Sequence, residues 1–187
     1  MRHVISALVM NEPGVLANVA GMFAARGFNI DSLVVGRTEK PELSRMTIVV
    51  TGDDNTLDQV RKQLAKLVPI VEVHDFKSQA YIERDLVLVS VTVGPEKRGE
   101  VIEIVNLFRG KVVDVAEQGI IVELAGTESK LESFVELLRP YGIKELARTG
   151  VIAIARGMQL ARDTSDSGPR KRTRSMDAPA AAALPPS

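Results

Sequence analysis

Short blocks of β-branched and apolar residues alternate with stretches in which apolar residues recur at helical spacing. Residues 3–10 are the first such block and predict a strand. An Asn11-Glu12-Pro13-Gly14 turn follows, and residues 15–26 predict a helix with Val15, Val19, Met22 and Phe23 on one face. Gly27 ends that helix, and residues 28–36 predict a second strand. Beyond a polar loop, residues 43–51 predict a third. Residues 52–55 turn, and residues 56–67 predict a second helix. Its stripe is Leu57, Val60, Leu64 and Leu67, and Thr56 and Gln59 have the spacing of a capping box. Pro69 breaks it before a fourth strand at residues 70–75. This βαββαβ order closes most simply as a four-stranded antiparallel sheet with both helices on one face, the ferredoxin-like arrangement.

The pattern then returns. Residues 76–83 are more polar and predict a link. Residues 84–93 predict a strand, and residues 97–108 a helix with Val101, Ile104, Val105 and Phe108 inward. Residues 111–116 and 120–125 predict strands around a turn at 117–119. Residues 127–138 predict a helix with Leu131, Phe134, Val135 and Leu138 inward, and residues 143–155 a last strand interrupted at Gly150. The expected fold is therefore α+β, two tandem ferredoxin-like βαββαβ units. The expected domains are residues 1–76 and 84–159, joined by a linker at 77–83. Residues 160–187 are rich in Ser, Pro and Ala, and a disordered tail is expected there.

Composition narrows the partners. Only 4% of residues are aromatic and Trp is absent, so the core is aliphatic. The formal net charge of zero argues against general electrostatic binding to nucleic acid or membrane. Arg170-Lys171-Arg172 with Arg174 is a small basic run, read as part of a solvated tail because no basic face supports it elsewhere. The absence of cysteine removes disulfides and thiolate chemistry and fits a cytoplasmic protein. No apolar run approaches the roughly 18 residues of a membrane span, and the N-terminal apolar run reaches a turn too soon for a signal peptide.

No catalytic set assembles from the motifs. GxGxxG, P-loop, GxSxG and HExxH patterns are missing. His3 and His74 read as strand residues without metal-ligand spacing, so no metal site is expected. Glu100, Glu103, Glu132 and Glu136 read as solvated helix surface. An RNA-binding sheet would stack bases on aromatics of its central strands, and residues 43–51 and 111–116 contain none.

What remains is the turn. Pro13 fixes its own φ, and Gly14 permits a backbone shape and a close approach that a side chain would block. Val15 opens a helix whose first amides lack intrahelical partners, an end suited to a carboxylate. Asn11 offers both a donor and an acceptor. With Asn29 and Ile30 at the start of the next strand, these residues predict a small polar pocket with aliphatic walls, suited to an amino acid.

The segments NEPGVLANVAGMFAARGFNIDSL and LSRMTIVV resemble the ACT domain of the small subunits of acetohydroxyacid synthase, also called acetolactate synthase. FRGKVVDV and ELARTGVIAIARG resemble the C-terminal domain of the same family, and the likeness covers about residues 1–159. The resemblance implies a regulatory subunit without catalytic residues of its own. It implies a large catalytic partner carrying thiamine diphosphate, FAD and magnesium, whose activity the small subunit raises and makes sensitive to valine. It also implies a homodimer through the ACT domains, with valine held by Asn11, Gly14 and Val15 of one chain and by the partner's Asn29 and Ile30. The second unit's turn, Gly94-Pro95-Glu96-Lys97, has no asparagine before it and no glycine opening the helix, so the effector is expected in the first half only. A stand-alone amino-acid sensor acting on another partner is the alternative.

Overall fold

The computed structural model describes residues 1–157. The expected tail from residue 160, with its basic run, lies outside the described residues. In the first half, β1 (Arg2–Met10) turns into α1 (Val15–Ala25), and a hairpin of β2 (Ser32–Arg37) and β3 (Leu43–Thr51) precedes α2 (Asp54–Leu64) and β4 (Ile70–Asp75). The second half repeats this order with β5 (Tyr81–Val91), α3 (Pro95–Leu107), β6 (Lys111–Ala116), β7 (Gly119–Gly126), α4 (Glu128–Leu138) and β8 (Ile143–Arg148), and adds β9 (Ile152–Ala155).

Both sheets are antiparallel, with strand order β2-β3-β1-β4 in the first half and β6-β7-β5-β8 in the second. This is the tandem ferredoxin-like arrangement that the periodicity predicts. Alternation along β1 sends Ile5, Ala7 and Val9 toward the helices, where they meet Val19, Phe23, Leu57 and Leu64 in one aliphatic core. Val87, Val89 and Val91 of β5 do the same against Val101, Leu131 and Phe134. The opposite face of the first sheet is not bare. Val4 and Val49 there pack with Phe76, Val151 and Ala153 in a third cluster that joins the halves. The Phe76 and Tyr81 rings stack beside it with centroids 4.8 Å apart. Arg2 extends the join by pairing with Glu83 at 3.0 Å and Glu128 at 2.7 Å.

Several boundaries differ from the periodicity, and three of them have a visible physical reason. The second strand starts at Ser32 rather than residue 28, because Phe28 still belongs to the end of α1. Its amide donates to the Phe23 carbonyl at 3.1 Å, and Gly27, at φ +66°, donates to Ala24. These are the two bonds of a Schellman motif, and the Phe23 and Phe28 rings make its customary apolar contact, edge to face. The second helix starts at Asp54 rather than Thr56. Asp53 is its cap, accepting from the Thr56 amide and hydroxyl, both at 2.7 Å, and these bonds hold the Asp53 carboxyl below its ordinary pKa. The fifth strand starts at Tyr81, inside the expected link, because Tyr81–Arg84 pairs with the distant β9.

The expected break at Gly150 is present. Gly150 has φ +85°, and a Cβ there would stand 2.7 Å from Ser32 Oγ and 2.9 Å from Val34 Cγ2. The next amide, Val151, donates to Ser32 Oγ at 3.1 Å. Glycine thus lets the β8–β9 corner press against β2.

Candidate functional site

The Asn11–Gly14 turn sits where β1 hands over to α1. Asn11 is anchored by one backbone and two side-chain hydrogen bonds. Its amide donates to Glu42 at 2.8 Å, and its Nδ2 donates to the Pro41 carbonyl at 3.0 Å. Its Oδ1 accepts from Ser44 Oγ at 3.2 Å. An asparagine amide has two donors and two acceptor sites, so one of each remains for a ligand. Pro41 and Ser44 thus orient the side chain, and no local spacing in the sequence announces them, since they lie 30 and 33 positions away.

Gly14 is the N-cap of α1, at φ 85° and ψ −11° in the left-handed region. Among the described residues no side chain caps the helix, and its first turn holds no acid. The first amides of α1 therefore lack an anionic or side-chain acceptor, which leaves the partial positive charge of the helix end uncompensated. Among the described residues, nothing lies within 4 Å of a Cβ built on Gly14. Val15, 5% exposed, roots the turn in the first core.

Asn29 and Ile30 follow the Schellman motif at the other end of α1. Asn29 is exposed and its Nδ2 donates to Asp31 at 2.7 Å, while Ile30 packs at the margin of the first core. The eleven residues of α1 span about 16 Å, so one chain does not bring Asn29 and Ile30 to the turn. The sheet register agrees. Met10 lies opposite Leu43 at one end, whereas Ser32 lies opposite Val49 at the other. The expected pocket of all five residues is not formed within a single chain, because residues 28–31 emerge below the helix and the turn lies above it.

The equivalent start of α3 is built differently. Contrary to the expectation from the sequence, a glycine does open this helix, because α3 starts at Pro95 and Gly94 is its N-cap; the difference from Gly14 is its extended backbone at φ −74° and the proline in the first turn. Arg98 reaches back to the Ala116 and Glu117 carbonyls at 2.6 and 2.7 Å, tying the helix start to the β6–β7 turn. Among the described residues, no group of three or more His, Cys, Asp or Glu could hold a metal ion. No helix there is long and apolar enough to cross a membrane.

Comparison with known proteins assigns both halves. A family model described as the AHAS small subunit-like ACT domain matches residues 5–72, and one described as the small subunit of acetolactate synthase matches residues 84–157. A probable acetolactate synthase small subunit of Archaeoglobus fulgidus is 54% identical over 157 residues, covering 84% of this chain and 98% of that protein. The acetolactate synthase small subunit of Mycolicibacterium smegmatis is 46% identical over 155 residues, covering 83% and 91%. The crystal structure of the acetolactate synthase small subunit from Thermotoga maritima superposes with a TM-score of 0.78 at 43% identity, covering 84% of this chain and 98% of that one. With both halves matched in order and the tandem fold shared, the chain belongs to the family of acetolactate synthase small subunits.

Proposed function

We propose that this chain is a cytoplasmic regulatory subunit that activates the catalytic subunit of acetolactate synthase and makes it sensitive to valine. The observation that carries the reading is the Gly14 turn, where an uncapped helix start lies open beside an anchored asparagine. The valine carboxylate accepts from the first amides of α1, and the free Oδ1 lone pair of Asn11 accepts from the ammonium. Val15 supports the apolar wall.

The site is completed by a second copy. β2 is an edge strand, and among the described residues no strand pairs with its outer side. Two copies pairing antiparallel along β2 would bring the start of the partner's β2 to the end of this one. That end is level with the turn, because Arg37 lies opposite Ser44, which itself bonds Asn11. The partner's Asn29 and Ile30 then close the pocket. A ligand shared by two chains shifts the enzyme only by binding one arrangement of them better than the other. The chemistry, with thiamine diphosphate, FAD and magnesium, belongs to the catalytic subunit.

Reconstitution tests the reading. Adding the full chain to its cognate catalytic subunit is expected to raise acetolactate formation, and valine is expected to reverse the gain. Valine binding without any effect on that subunit would instead mark a sensor with another partner.

A further inference from the structure

Residues 29–31, which carry the second part of the proposed pocket, run from the end of α1 into β2, and Asn29 and Asp31 are exposed. Two hydrogen bonds fix where this segment enters the sheet. The Asp31 amide donates to the Val49 carbonyl at 2.9 Å. Ser32 Oγ accepts from the Val151 amide at 3.1 Å, 119 positions along the chain. Val151 precedes β9 and takes this bond in place of a ladder partner. It is 2% exposed and packs in the cluster that also holds Val49. Both bonds therefore end on one buried cluster shared by the two halves.

The far side of this contact is held as firmly. Gly150 lies against the same hydroxyl, close enough that a Cβ there would stand 2.7 Å from Ser32 Oγ. Its amide donates to the buried Asp85 carboxylate at 3.1 Å, which also accepts from Arg148 and Thr149. One serine hydroxyl thus links the segment at 29–31 to a corner that Asp85 fastens to β5. Without that acceptor the Val151 amide would be buried and unpaired. We propose that Ser32 is a positioning residue for the effector site, coupling residues 29–31 to the Gly150 corner. Valine binding then tightens the corner, and an intact corner strengthens valine binding by the same factor. This role rests on the valine reading above, and it adds a route by which occupancy of the site is registered in the second half. The corner is the element with two states. Closed, the Val151 amide is bonded to Ser32; open, it meets water. A ligand that orders residues 29–31 favours the closed state.

Calorimetry and hydrogen exchange on the full chain test it, with valine as the probe. In the wild-type chain, valine is expected to slow amide exchange at residues 150–153 as well as at the Asn11–Gly14 turn. Ser32→Ala is expected to bind valine about three- to tenfold more weakly, and to lose the slowing at 150–153 while keeping it at the turn. Asp85→Asn loosens the corner from its far side, through residues 148–150, and is expected to weaken valine binding in the same range. A merely structural loss would speed exchange in the unliganded variants without altering the valine-dependent change. Wild-type valine affinity in both variants overturns the coupling and leaves the effector site standing. Slowing at the turn with none at 150–153 in the wild-type chain does the same. Weaker binding by Ser32→Ala with the slowing at 150–153 retained marks local damage only, and also overturns the coupling. No valine binding by the wild-type chain overturns the valine reading and this role together.

Discussion

Acetolactate synthase reconstituted with the Gly14→Asp chain is expected to keep its activation and to lose its inhibition by valine. The substitution is mild for the chain itself. Among the described residues, a Cβ at Gly14 meets nothing within 4 Å, so none of them must move. The left-handed backbone at φ +85° costs a non-glycine residue about 1 kcal/mol, and aspartate is among the residues that visit it. A carboxylate beside the uncapped amides of α1 recovers part of that through the helix dipole. For the ligand the change is severe. Two carboxylates about 4 Å apart repel by about 4 kcal/mol at an effective dielectric constant near 20, on the order of a thousandfold in affinity. Inhibition curves for the reconstituted enzyme check it. Unchanged valine sensitivity would show that the turn does not hold the effector carboxylate.

Asp85→Ala is expected to lower the unfolding midpoint of the chain by roughly 10 °C, following a loss of about 3 kcal/mol. The Asp85 carboxylate is 2% exposed and fully engaged. One oxygen accepts from Arg148 Nε at 3.0 Å and Nη2 at 2.9 Å. The other accepts from Thr149 Oγ1 and the Gly150 amide, both at 3.1 Å. Alanine would leave these donors without their acceptor. Arg148 would keep Glu132, which moderates the loss. Burial opposes the charge of Arg148, but the Glu132 and Asp85 carboxylates outweigh it and raise its pKa. The cluster fixes the corner where Gly150 and Val151 meet Ser32, so the damage should reach the join between the halves. Asp85→Asn, which preserves shape and one acceptor, should cost less. Differential scanning calorimetry of both variants checks this, and a shift of only a degree or two for Asp85→Ala would remove the cluster from the account of stability.

Much of the fold is legible because its signals are local. β3 and β4 begin and end where the apolar pattern does, at Leu43–Thr51 and Ile70–Asp75, since turn residues bound both. What the pattern misses is decided by remote contacts. Nothing near Tyr81 announces pairing with Ala155, and nothing near Gly150 announces the Ser32 hydroxyl. Asp53 was open to recognition as a cap, because a short acidic side chain three residues before Thr56 is a common helix start. The site divides in the same way. Asn11, Gly14 and Val15 belong to one short turn, so turn chemistry alone places them together. Asn29 and Ile30 are near in sequence but a helix length away in space, so the proposed site takes them from a second chain. The cluster around Asp85 has no sequence signature, because its partners come from a corner more than 60 positions later.

Thermal unfolding of the full chain in valine, with alanine and leucine as comparisons, tests the central claim most directly. At about 100 times the dissociation constant, one site contributes about 2.7 kcal/mol, a rise of roughly 5–10 °C for a chain of this size. That rise is expected with valine, a smaller one with alanine, and a response to leucine within the 1–3 kcal/mol that one methylene discriminates. A midpoint unmoved by valine and by leucine would contradict an effector site at the Gly14 turn.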